Sequence, residues 1–267
     1  MVKCEPVFPI QLPIFNLDDI HNPYVLDNKY KMTTMHRIAY LSISSLLLMS
    51  LGFSTAAASS SVNIYPPDSK PYGLTYAQHA ENFWKWLLPL PGDNNPVEDP
   101  SGEKCSMGQE NSKSSVFYLS INAGGRSDKV CEVPAGKGLL IPVMVVEVSD
   151  KEAPGASEED LSNAAKKDQD SVNSLYLEIN NKEYSYQDLL KYRTHTGAFD
   201  VVFPNNGIFG VIEGGLSKAV ADGFYILTEP LPAGNHTIHF KSSLICPDPD
   251  CVDPNYVQDA QYKIISK

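Results

Sequence analysis

The stretch "GFYILTEPLPAGNHTIHFKS", residues 223–242, decides the fold. In its second half His236, Ile238 and Phe240 face one way while Thr237, His239 and Lys241 face the other, the period-two signature of a half-buried β-strand. The first half, 223–229, is a β-prone apolar run, and "PLPAG" (230–234) supplies turn residues between the two. Working outward, Ala260, Tyr262 and Ile264 alternate with Gln261 and Lys263, and Phe199, Val201 and Phe203 form another strand closed by "PNNG". Leu175, Leu177 and Ile179 give a half-exposed strand, and Lys129–Val133 a short one. "LLIPVMVVEV" (139–148) carries Pro142, which cannot donate to a ladder and so predicts an edge or a bulge. Val116–Ile121 is apolar on both faces, as for a central strand.

Eight short strands separated by turn signals predict a mainly β protein, a single antiparallel β-sandwich spanning residues 74–267. An amphipathic helix leads into it. Thr75 and Gln78 are spaced as a capping box, and Tyr76, Ala80, Phe83, Trp84, Leu87 and Leu88 recur at helical spacing until Pro89 and Pro91 stop the run. A second, more charged helix opens at "SEED" (157–160) and reaches about Val172, and Tyr186–Tyr192 reads as one further helical turn. Residues 59–73 are polar and proline-rich, a flexible lead-in.

Residues 35–58 read as a signal peptide. Met35-His36-Arg37 is a short basic head, Ile38–Phe53 an uncharged apolar run, and Ala56-Ala57-Ala58 offers the small residues that a signal peptidase accepts. The apolar run is shorter than the ~20 residues a helix needs to span a bilayer, so a cleaved signal is favoured over a retained anchor, and no stable membrane span is expected after cleavage. Residues 1–34 then form an over-extended, unstructured N-terminus, with synthesis starting at Met35 or Met32. The expected location is secreted or extracytoplasmic.

Cysteine usage agrees with export. Outside the leader stand Cys105, Cys131, Cys246 and Cys251, an even number that predicts two disulfides with three pairings open; Cys105–Cys131 and Cys246–Cys251 are favoured, the second enclosing "PDPD". Neither pair has the close C-x-x-C spacing of a zinc site. The formal net charge of −11 and the lack of any basic cluster beyond Lys166-Lys167 argue against nucleic acid as a partner.

Four stretches carry a resemblance: "FWKWLLPLPGDNNPVEDPSGEKCSMGQ", "VFYLS", "KVCEVPAGKGLLIPVMVVE" and "DGFYILTEPLPAGNHTIHF". With the W-x-W of Trp84 and Trp86, the Cys–Gln pair of Cys105 and Gln109, and the "CEVPAGK" block, they resemble a family of exported bacterial and archaeal proteins with no assigned activity. The resemblance implies a shared fold and export. It carries no catalytic residue.

Candidate sites follow from residue chemistry. Trp84 belongs to the apolar stripe of the helix and reads as core. Trp86 lies off the stripe's centre with His79 two turns earlier, and a partly exposed tryptophan is a platform for sugar rings or apolar ligands. Asp248, Asp250 and Asp253 form an oxygen-rich loop of the kind calcium takes, and Asp93, Asn94, Asn95, Glu98 and Asp99 form a second; both lack the EF-hand glycine and distal glutamate, and no cofactor is required by the sequence. His236 and His239, three apart on a strand, point to opposite faces and make no metal pair. No G-x-S-x-G, H-E-x-x-H or C-x-x-C occurs. The leading expectation is a non-catalytic binding or envelope-interaction module for a polysaccharide, a small molecule or an envelope protein. The alternatives are an exported hydrolase whose carboxylates, drawn from Glu147, Asp200, Glu213, Asp222 and Glu229, converge only in the fold, and a purely structural envelope protein.

Overall fold

The computed structural model describes residues 61–110, 113–245 and 255–267, all within one compact unit. The predicted leader (1–34), the signal segment (35–58) and the start of the lead-in fall outside the described residues, as do Cys246, Cys251 and the aspartates at 248, 250 and 253.

Helix α1 (Tyr76–Leu87) starts where the capping box puts it. The Thr75 backbone N–H donates to Gln78 Oε1 at 2.9 Å and the Gln78 N–H returns to Thr75 Oγ1 at 3.3 Å, so two orphan donors are satisfied reciprocally. Its buried stripe is Tyr76, His79, Ala80, Phe83, Trp84 and Leu87. Past its end, the buried Asn95 side chain donates to the carbonyls of Leu87 and Leu90, taking acceptors that the finished helix leaves over.

Ten strands follow: β1 (Val116–Tyr118), β2 (Gly125–Val133), β3 (Gly138–Ser149), β4 (Val172–Ile179), β5 (Lys182–Tyr184), β6 (Arg193–His195), β7 (Phe199–Phe203), β8 (Gly215–Leu227), β9 (Gly234–Ile245) and β10 (Asn255–Ser266). Helix α2 (Glu158–Asp170) lies between β3 and β4, and the short α3 (Tyr186–Leu190) between β5 and β6. One five-stranded sheet runs β1-β3-β8-β6, with β7 also on β8; the other runs β2-β10-β9-β4-β5.

The fold is therefore mainly β with two sheets sharing one core, but it is not a single antiparallel sandwich of eight strands. Both sheets are mixed: β1 runs parallel to β3, and β2 parallel to β10 through nine register pairs. Strands β5 and β6 are three residues each, too short for alternation to announce them. Strand β1 is an edge rather than a central strand, and its free backbone edge at Tyr118 is met by the side chain of Gln109 from the loop before it.

The two "PAG" turns explain how the chain alternates between sheets. The first (134–136) carries it from β2 in one sheet to β3 in the other; the second, within 230–234, carries it from β8 back to β9. The crossings are joined to each other, since the Gly136 N–H donates to Leu231 O at 3.0 Å and the Leu231 N–H to Lys137 O at 2.9 Å.

Pro142 produces the bulge and not an edge. The β3–β8 register slips between Pro142 and Met144, leaving Val143 outside the ladder. The carbonyl of Val143 turns to the second sheet, where the buried Ser242 Oγ (2.7 Å) and Gln258 Nε2 (2.6 Å) both donate to it. A proline in one sheet thus sets up a polar tie to the other. Opposite this segment stands Gly223, where an added Cβ would lie 2.6 Å from Val145 Cα, so β3 and β8 approach more closely than any side chain permits.

Cys105 and Cys131 are disulfide-bonded with Cα atoms 5.7 Å apart, tying the loop after α1 to β2. The Cys246–Cys251 pairing concerns residues outside those described. Among the described residues no helix is long and apolar enough to cross a membrane.

Candidate functional site: an aromatic platform beside the disulfide loop

The last turn of α1 presents Trp86 away from the buried stripe. Its indole Nε1–H donates to Met107 O at 2.8 Å, and its ring stacks on Tyr118 of β1 with centroids 5.5 Å apart and planes 30° off parallel. Phe83 closes against both rings, at 5.8 Å from Trp86 and 6.2 Å from Tyr118. Such offset stacking is worth about 0.5–1.5 kcal/mol beyond area burial and fixes ring orientation. Trp86 and Tyr118 both remain partly exposed, on a depression of about 370 Å3 rimmed by Asn82, Lys85 and Leu90.

Gln109 holds this arrangement in place. Its side-chain amide behaves as one more strand residue against the outer edge of β1. Oε1 accepts the Tyr118 N–H (2.8 Å), and Nε2 donates to Tyr118 O (3.1 Å) and to Cys105 O (3.1 Å). The edge of the sheet, the disulfide and the platform are joined through one buried side chain. Gly108, just before it, adopts φ +72°, and an added Cβ would lie 3.2 Å from Leu90 Cδ2 and 3.4 Å from Trp86 Nε1; the loop passes the indole closely because no side chain intervenes.

The rest of the disulfide loop is fixed by satisfied polar groups. Asp99 accepts from the Ser101 N–H (2.9 Å), the Ser101 hydroxyl (2.6 Å) and the Lys104 N–H (2.7 Å), which hold its carboxyl below the usual range despite burial. Lys129 on β2 is buried and donates to Pro96 O (2.8 Å) and Ser120 Oγ (2.9 Å); burial lowers its pKa to about 8. Asn95 and Asp99, two members of the oxygen-rich loop, therefore spend their oxygens on backbone donors. Among the described residues no cluster of three metal-ligating side chains occurs.

The other sequence candidates lie elsewhere. Trp84 is fully buried and donates from Nε1 to Tyr225 Oη at 2.8 Å. His79 is buried at the other end of α1, with Nε2 2.8 Å from Pro71 O, and burial lowers its pKa, so the neutral ring donates to that carbonyl. It does not share the depression with Trp86. His236 is buried and sits 2.9 Å from Asn180 Nδ2, whereas His239 is half-exposed and bonded to Asp259 at 2.7 Å.

The five carboxylates considered for a hydrolase are dispersed. Asp200 pairs with Lys218 (2.8 Å), Glu229 accepts from Asn63 (3.0 Å), Glu213 is exposed, and Asp222 is bound to Arg193 through both oxygens. Glu147 is buried beside Glu152, and burial together with that neighbouring acid raises its pKa well above the carboxylate range.

Tyr118 and Met107 were not visible as site residues. Tyr118 shares a face with Val116 on a strand of three residues, and nothing in its spacing points to Trp86, 32 positions earlier. Gln109 stood out only through its place four residues after Cys105. No protein-family model matches the chain, and no curated protein matches it.

Proposed function

We propose that this is an exported binding protein of the cell envelope whose ligand contact, a surface that does no chemistry itself, is the Trp86–Tyr118 platform, and that the ligand is a neutral sugar ring of a polysaccharide. The observation that carries the reading is a stacked, half-exposed aromatic pair whose orientation is fixed before any ligand arrives, by Trp86 Nε1 on Met107 O and by the Gln109 clamp on Tyr118. Rigid aromatic surface binds with little loss of side-chain entropy, and the apolar face of a pyranose packs on it. Asn82 and Lys85 line the same depression and bring polar groups to its rim. The signal segment and the Cys105–Cys131 bond support the extracytoplasmic setting, and the motifs quoted above support membership of the exported family that the chain resembles.

A glycan array probed with the purified protein and with Trp86→Ala tests this. Binding to one class of neutral glycan that Trp86→Ala loses at least tenfold is expected. Binding that is unaffected by Trp86→Ala, or no binding to any glycan, would overturn it.

A further inference from the structure

A second depression, about 390 Å3, opens on the opposite side of β8 from Tyr225, between α2 and the β6–β7 turn. Two of its lining side chains, Ser162 and His195, meet there from different elements, and a third, the buried Asp222, stands behind His195. Ser162 of α2 places Oγ 3.0 Å from His195 Nε2 on β6, and the other ring nitrogen, Nδ1, lies 3.5 Å from Asp222 Oδ2 on β8. The β6–β8 register sets His195 directly opposite Asp222, so both project to the face that α2 covers. Asp222 is almost wholly buried, and Arg193 grips both its oxygens at 3.0 Å while also bonding Asp170 and Lys166 O.

We propose that Ser162, His195 and Asp222 form a serine-nucleophile site that hydrolyses neutral, short-chain carboxylic esters. The order nucleophile–base–carboxylate and the use of the two different imidazole nitrogens are what the chemistry requires. His195 Nε2 is positioned to accept the Ser162 proton. Nδ1 has no hydrogen bond among the described residues and faces a carboxylate one short movement away, a separation that tightens in sites of this kind when substrate binds. Burial holds the imidazole below its ordinary pKa, against the pull of Asp222, so the neutral base is the resting form. Arg193 is a positioning residue: it fixes Asp222 and touches no reacting atom.

The same depression is lined by Gly197 and Ala198, whose backbone N–H groups make no hydrogen bond among the described residues. They are the donors available to a developing oxyanion. Glu158 and Glu159 stand on the rim and would repel anionic esters, which restricts the substrate to neutral ones, and the volume suits a short acyl group.

The steps balance with water as the only co-reactant. Ser162 Oγ bonds to the ester carbonyl carbon as its proton passes to His195 Nε2. The ester C–O bond breaks, and the leaving alkoxide takes that proton as an alcohol. Water then attacks the acyl-serine, giving its proton to His195. The acyl–Oγ bond breaks, the proton returns to Ser162, and the carboxylic acid departs.

The test is independent of the sugar-binding reading, since no residue is shared. The purified protein is assayed with p-nitrophenyl acetate and labelled with a fluorophosphonate, with Ser162→Ala and His195→Gln run in parallel and their folding checked by circular dichroism. Hydrolysis that falls about a hundredfold or more in both folded variants, with the adduct mapped to Ser162 by peptide mass spectrometry, is the expected result. Hydrolysis no faster than buffer, hydrolysis that survives either substitution, or an adduct on another residue would overturn the proposal.

Discussion

Replacing Gln109 with methionine removes the clamp on Tyr118 while keeping side-chain length. Three hydrogen bonds disappear: two to the Tyr118 backbone and one to Cys105 O. Each is worth about 0.5–1.5 kcal/mol net. Tyr118 is half-buried, so water reaches part of the orphaned backbone and the full desolvation penalty does not apply. The expected loss is about 3 kcal/mol. With a urea m-value of about 2 kcal/mol per molar, the midpoint falls by ~1.5 M. Equilibrium urea unfolding, followed by far-UV circular dichroism, measures this. A second readout follows from the stacking: freed of its fixed partner, Trp86 becomes more accessible to acrylamide. A loss below about 1 kcal/mol, with unchanged quenching, would refute the role given to Gln109.

Three further outcomes rest on other parts of the molecule. Reducing the Cys105–Cys131 bond, which closes a separation of 26 residues, should cost about 3–4 kcal/mol on the loop-entropy estimate; an unchanged urea midpoint in reductant would contradict it. Glu147→Gln should stabilise the protein at pH 8 and much less at pH 4. Its folded pKa is raised, so its favourable contribution is complete below the unfolded carboxylate pKa and is lost as pH rises through the folded value; parallel stability curves for the two proteins would contradict this. Gly223→Ala should prevent stable folding or cost several kcal/mol, because its Cβ meets Val145 Cα at 2.6 Å; a near-native melting temperature would show that β3 and β8 can separate.

How much of this was legible depends on where each feature stores its information. Helix α1 was readable to within a residue because the capping box and the apolar stripe are local. The alternation of β9 was readable for the same reason, and the separate environments of His236 and His239 follow from it. Pairing partners were not readable. Nothing in the period of β2 or β10 says that they lie parallel, and nothing in "PLPAG" says that its two flanking strands belong to different sheets. Lys129 shares the inward face of β2 with Cys131 and Val133, and nothing local announces that Pro96 O and Ser120 Oγ would be there to receive its charge. Ser162, His195 and Asp222 lie 33 and 27 positions apart with no motif around them, so only the β6–β8 register and the seat of α2 bring them together. Trp86 was visible as a residue, but its partner Tyr118 was not.

The chain has two tryptophans, so Trp84→Phe leaves Trp86 as the sole indole, at the cost of one buried hydrogen bond to Tyr225. In that variant the emission of Trp86 and its quenching by acrylamide report the platform alone. Titration with the neutral glycan selected by the array should shift the emission and reduce quenching, with both signals saturating together. A glycan that binds and raises the melting temperature while leaving Trp86 emission and quenching unchanged would contradict the placement of the ligand on this platform.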